Sequence, residues 1–71
     1  MPSIRVDSTV LVIIPGDHEP EHVHDLGTGW EIRVRLAEPG VPWSIEGRPK
    51  LREIRDALQA VETHLTELRR I

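Results

Sequence analysis

Residues 30–36, WEIRVRL, alternate apolar and charged side chains without interruption. Successive side chains of an extended strand point to opposite faces, so this period of two predicts a strand with one buried and one solvated face. The buried face would consist of Trp30, Ile32, Val34 and Leu36. The solvated face would consist of Glu31, Arg33 and Arg35. A sheet built around this strand needs a cover on its apolar side.

Three other segments have the composition of short strands. Residues 9–14, TVLVII, form a β-branched run that Pro15 and Gly16 close. Residues 22–24 alternate polar, apolar and polar side chains and predict a short strand over 22–25, and the glycines that follow suit a tight hairpin connection to residue 30. Residues 42–46 contain a proline at their start, which favours a position at the sheet edge. We therefore expect an antiparallel meander of about four strands.

From residue 49 onward the apolar period becomes that of a helix. The apolar residues recur at spacings of three and four, and they are Leu51, Ile54, Leu58, Val61, Leu65 and Leu68. This stripe predicts one long C-terminal helix over roughly residues 50–69. The expected class is α+β, a single domain over residues 1–71 with the sheet packed against that helix. The same spacing would suit a coiled-coil seam, and a homodimer through an edge strand or a helix flank is an alternative because the core is small.

Composition and charge exclude several classes of protein. The chain has 71 residues and no cysteine, so it has neither a disulfide framework nor a thiolate metal site. Nine basic against twelve acidic residues give a net charge of −3, which argues against nucleic-acid binding. No apolar run approaches the roughly 20 residues that span a bilayer, and the first residues do not resemble a signal peptide. A cytoplasmic protein that does not bind membranes is expected.

Three of the four histidines lie within seven residues. His18, His22 and His24 form an H-x-x-x-H-x-H pattern in which Asp17 and Glu19 flank His18. Imidazoles and carboxylates without cysteine suit one divalent transition metal, namely Zn, Ni, Mn or Fe. Two histidines in an H-x-H pair on a strand also point to the same side. The alternative is that these histidines only form hydrogen bonds within a polar segment.

His64, in the predicted helix, is the candidate fourth ligand. If His22 and His24 face the helix, all three could converge at one end of the sheet. If Val23 faces the helix instead, His22 and His24 point away from His64 and cannot share a metal with it. The sequence leaves both arrangements open.

Asp17, Glu19, Arg33 and Arg35 are candidate binding residues. The planar guanidinium groups of the two arginines could hold a phosphate, although charged residues at these positions also fit an ordinary solvated strand face. Histidine and a nearby carboxylate could transfer protons near neutral pH. No serine or threonine lies in the sequence context of an activated nucleophile.

The segment Asp17-His18-x-Pro20-x-His22-x-His24 resembles the D-H-x-P-P-H-F-H signature of small bacterial proteins grouped as domain of unknown function 4160. Residues 64–68, HLTEL, are similar to the H-x-x-E-L tail of that family, and residues 45–47 resemble its strand-to-helix junction. Glu21 replaces the family's second proline and Val23 its phenylalanine. The chain is therefore identified as a divergent member.

The resemblance implies a stand-alone bacterial protein that acts through a small protein encoded by a neighbouring gene, as one half of a toxin–antitoxin-like pair. The first hypothesis is accordingly an interaction module with the histidine-rich segment as its metal or polar binding site. The second is a small metal-dependent hydrolase or a histidine-based RNase.

Overall fold

The computed structural model describes residues 3–6, 9–13 and 20–70. The strands are β1 (Ser3–Val6), β2 (Thr9–Val12), β3 (His22–Gly27), β4 (Trp30–Arg35) and β5 (Ser44–Gly47). The helices are α1 (Leu51–Thr63) and α2 (Leu65–Arg70). The expected α+β class is confirmed, but the described residues form five strands and two helices rather than four strands and one helix.

The sheet is an antiparallel meander with the strand order β1-β2-β3-β4-β5. The prediction missed β1, because its four residues include only two apolar side chains, Ile4 and Val6. The predicted strand over residues 9–14 ends at Val12 among the described residues, and Ile14 lies outside them. β3 extends two residues beyond the predicted 22–25, and β5 begins at Ser44 rather than at residue 42.

A two-residue turn at Thr28 and Gly29 sets the register between β3 and β4. Gly29 has a φ of 80°, a conformation that glycine adopts without steric strain. The turn pairs Gly27 with Trp30, and each later pair follows from this one, including Val23 with Val34. Directly opposed residues lie on the same face of the sheet, so this turn decides which side chains of β3 face the helices.

One apolar layer separates the sheet from the helices. The buried residues from the sheet side are Leu11, Val23, Ile32, Val34 and Leu36, and those from the helices are Ala57, Ala60, Val61 and Leu68. The face predicted from residues 30–36 is confirmed, with Trp30 half-buried at its end. The small side chains of Ala57 and Ala60 are buried on α1, next to Val61. The predicted stripe is wrong at Leu51, whose side chain is 69% exposed.

The predicted single helix is interrupted at His64. This residue has φ −108° and ψ 22°, and its amide donates to the carbonyl of Ala60 over 3.1 Å. The helical hydrogen bonds resume when Leu68 donates to the carbonyl of His64 over 2.9 Å. Thr63 and His64 are weak helix formers, which favours a break here. Neither helix in the described ranges has the length and apolar character needed to cross a membrane.

Candidate functional site on the histidine face

His22 and His24 lie on the face of the sheet opposite the helices. Val23 between them is fully buried in the apolar layer, so its two neighbours must point to the other side. The register pairs His22 with Arg35 and His24 with Arg33. On the other side of β3, Val12 of β2 is opposite His24. We call the surface formed by His22, His24, Glu31, Arg33 and Arg35 the histidine face.

Both imidazole rings are held in a defined orientation. The Nδ1 of His22 donates to the carbonyl oxygen of Pro20 over 2.7 Å, and the Nδ1 of His24 donates to Oε2 of Glu31 over 2.7 Å. Neither acceptor carries a proton to donate, so Nδ1 holds the proton in both rings. The neutral form of each ring therefore has its lone pair on Nε2. The ring centroids are 4.9 Å apart, and both residues are more than nine-tenths buried.

Glu31 connects His24 to an ion-pair network across β4 and β5. The Nε of Arg33 donates to the same Oε2 of Glu31 over 2.9 Å, while its NH2 group lies 3.2 Å from Oε1 of Glu46. Its NH1 group lies 3.4 Å from the hydroxyl oxygen of Ser44. The hydrogen bond from His24 holds the pKa of Glu31 below its usual value, and Arg33 acts in the same direction against partial burial. Glu31 is thus an ionised acceptor at neutral pH.

Trp43 and Arg35 border His22. The Trp43 ring contacts the His22 ring edge-on, with centroids 4.8 Å apart. Arg35 donates from NH2 to Oε1 of Glu38 over 2.6 Å. Its Nε is buried without an acceptor among the described residues. The side chains of Glu31, Arg33 and Arg35 are 22%, 33% and 32% exposed, so the expected solvated strand face is a half-buried layer over the sheet.

The predicted metal ligands divide into three groups. His22 and His24 are side by side on the histidine face, whereas Asp17, His18 and Glu19 lie outside the described residues. His64 belongs to the helical layer, where its Nδ1 lies 2.8 Å from Oε1 of Glu67. The sheet therefore separates His64 from His22 and His24, which answers the question of orientation that the sequence left open.

Within the described ranges no group of three or more His, Asp or Glu side chains is arranged to hold a metal ion. The metal-binding atoms of the histidine face would be Nε2 of His22 and Nε2 of His24, the ring nitrogens that do not donate to Pro20 and Glu31. The Glu31 carboxylate accepts a hydrogen bond from Nδ1 of His24, and a contact of this kind orients many metal-binding histidines.

Sequence reasoning missed the contributions of Glu31 and Trp43 to this site. A two-residue turn at residues 28 and 29 requires opposed β3 and β4 residues to have numbers that sum to 57, which pairs residue 24 with residue 33. Glu31 then lies diagonally across from His24. The contact between Glu31 and His24 could thus have been predicted from the register of the hairpin. Trp43 lies outside β5, and no periodic pattern indicates its contact with His22.

Comparison with known proteins adds no further constraint. No protein-family model, curated protein or solved structure matches this chain.

Proposed function

We propose that this chain is a small interaction module whose histidine face binds one divalent transition metal ion through Nε2 of His22 and Nε2 of His24. The observation that carries the proposal is the shared orientation of two adjacent rings, both of which donate from Nδ1 to a fixed acceptor. Second-shell acceptors of this kind fix the tautomer and raise the basicity of the ligating nitrogen.

The metal would also link the module to its partner. Zn, Ni, Mn and Fe take four or more ligands, and two imidazoles fill only part of such a coordination sphere. His18 is the candidate third ligand, and a side chain of a partner protein would complete the set. The partner we propose is the small protein encoded by a neighbouring gene, in a toxin–antitoxin-like pair. This element of the proposal rests on the resemblance to domain of unknown function 4160, which stays a prediction.

The metal-binding step is tested with protein purified without a histidine tag. Isothermal titration with ZnCl₂ is carried out on the wild type, His22→Ala, His24→Ala and, as the matched control, His64→Ala. We expect saturable binding with a stoichiometry of one for the wild type and for His64→Ala. We expect a loss of at least tenfold in affinity for each variant of the histidine face. Equal affinities in all four proteins would refute the assignment of the ligands.

The partner is tested by co-purification of the untagged chain with a tagged product of the neighbouring gene. We expect a stable complex that EDTA weakens and that His24→Ala weakens to a similar degree. A complex that resists both changes would show that the partner binds elsewhere on the chain. Absence of a complex in the presence of Zn²⁺ would refute the proposed pair.

A second candidate function is a small metal-dependent hydrolase or a histidine-based RNase. It is favoured by the position of Arg35 directly opposite His22, since a guanidinium beside an imidazole suits a phosphodiester. It ranks second because the arginines already donate to Glu31, Ser44 and Glu38. Cleavage of single-stranded RNA that His22→Ala abolishes and His64→Ala preserves would favour the RNase over the interaction module.

A further inference from the structure

A cleft of about 460 Å³ opens at the hairpin end of the sheet, on the side that carries the helices. The β3–β4 hairpin forms one wall, and the first turns of α1 form the other. Asp25 and Trp30 line it from the sheet, and Glu53 and Asp56 line it from α1. Its volume lies within the range of about 300–1,000 Å³ typical of small-molecule sites. The cleft is distinct from the histidine face, from which the sheet separates it.

Asp25 is a buried carboxylate that lines this cleft. Its residue is only 3% exposed, and its strand partners on either side are the fully buried Leu11 and Ile32. Among the described residues none donates a hydrogen bond to Asp25 or forms an ion pair with it. Glu53 and Asp56, which line the cleft from α1, carry charge of the same sign and do not neutralise it. A buried charge is normally paired, and the described part of the chain supplies no counter-ion to this carboxylate.

The other walls of the cleft suit an organic cation. The Trp30 indole packs directly over the backbone of Gly27, in the space that a Cβ on residue 27 would occupy. Gly27 lies two residues after Asp25, so both are on the same side of β3. An aromatic ring beside a carboxylate binds ammonium groups through combined cation–π and ionic attraction. Glu53 and Asp56 add negative charge on the opposite wall.

Basic residues also line the cleft, but in the described part of the chain none of them forms an ion pair with Asp25. Arg48, Lys50 and Arg52 are exposed, and within the described ranges none of them forms an ion pair with Asp25, Glu53 or Asp56. Their positive charge disfavours a ligand of high positive charge in the same space. The ligand that fits the cleft therefore carries a single positive charge.

We propose that this cleft binds the primary ammonium group of a small organic molecule, with Asp25 as its counter-ion and Trp30 as its aromatic wall. The proposal does not depend on metal binding at the histidine face, because the cleft and that face share no residue.

The test is a titration of the ¹⁵N-labelled full chain with n-butylammonium chloride at pH 7.5, followed by NMR. The indole N–H of Trp30 reports on the cleft, and that of Trp43 reports on the histidine face as an internal reference. We expect a saturable shift at Trp30 with little change at Trp43. An equal concentration of NaCl should produce no saturable shift at either indole.

Variants separate a bound ammonium group from a general salt effect. Asp25→Asn should weaken the affinity at least tenfold, while Glu62→Gln, an exposed carboxylate of α1 outside the cleft, should leave it unchanged. Asp56→Asn, at an exposed position of α1, should weaken the affinity two- to threefold and tests the cleft without changing a buried residue. The proposal is overturned by a linear shift, by equal affinities in the wild type and these cleft variants, or by a saturable response to inorganic phosphate alone.

Discussion

Nδ1 of His24 and Oε2 of Glu31 are 2.7 Å apart across the β3–β4 pair, although the residue directly opposite His24 is Arg33. The contact is a diagonal one between neighbouring strands. It allows one carboxylate oxygen to accept from both His24 and Arg33, and it orients the imidazole that we propose as a metal ligand.

Glu31→Gln should lower the affinity for Zn²⁺ by about 10- to 100-fold without removing a ligand, because it weakens the group that orients His24. Isothermal titration measures the effect. Glu46→Gln is the matched control, since Glu46 contacts Arg33 and neither histidine. Similar losses in the two variants would mean that the network acts only through Arg33.

The same Glu31 carboxylate should stabilise the fold in a pH-dependent way. Its pKa is lower in the folded chain than in the unfolded chain, so its contribution is present above its ordinary value of 4.5 and is lost as the pH falls through the folded value. The difference in unfolding free energy between the wild type and Glu31→Gln should therefore shrink with increasing acidity. Urea unfolding between pH 3 and pH 7 measures it, and a constant difference would contradict the expectation.

Asp25 should have the opposite pH dependence. Its pKa rises from 3.8 to about 6 on folding, so the folded chain binds the proton more tightly and loses stability as the pH rises between these values. Asp25→Asn should be more stable than the wild type by up to about 3 kcal/mol at pH 7.5, and this gain should vanish below pH 4. Paired urea titrations at the two pH values test both the sign and the window. A variant less stable than the wild type at pH 7.5 would contradict the prediction.

Two leucines of the same apolar stripe should respond very differently to truncation. Leu68 is 2% exposed and Leu51 is 69% exposed. Leu68→Ala should destabilise the fold by about 2–4 kcal/mol because it leaves a cavity in the apolar layer. Leu51→Ala should change the stability by no more than about 0.5 kcal/mol. Chemical denaturation followed by circular dichroism compares them, and equal losses would show that Leu51 is covered in solution.

Gly47 should not tolerate a side chain. It has a φ of 79°, and an added Cβ would collide with the Gly29 carbonyl oxygen and lie 2.8 Å from Cα of Trp30. Gly47→Ala should destabilise the fold by about 2 kcal/mol or more. Gly40→Ala is the control, because a Cβ there meets no atom within 4 Å. Thermal unfolding of the two variants should give clearly separated midpoints, with Gly40→Ala close to the wild type.

Sequence periodicity predicted those parts of the fold in which one face is buried along a whole element. The alternation over residues 30–36 is such a case, and Ile32 and Val34 are fully buried as expected. β1 gives too short a signal, with two apolar residues in four. The break at His64 is invisible to periodicity, because Val61, Leu65 and Leu68 keep their spacing across it.

The site was harder to predict from the sequence than the fold. Which side chains meet in the site depends on the register between strands rather than on the spacing of residues along the chain. The H-x-H pair was recognised as two side chains on one side of a strand, but spacing alone could not choose that side. In the sequence, Asp25 is simply the acidic residue that follows His24. Its burial beside Leu11 and Ile32 depends on pairing with two separate strands, and no local pattern reports this.

The order of the strands in the sheet follows their order along the chain. Each strand of the described sheet after β1 therefore pairs with the strand that precedes it in the chain, and none pairs with a strand far away in sequence. Such a topology has a low contact order for a β-rich protein, which favours fast folding. We expect β3 and β4 to form an early hairpin, since a two-residue turn joins these two six-residue strands, and β-hairpins form within about 1–10 μs. The histidine face would then be assembled before the helices cover the other side of the sheet.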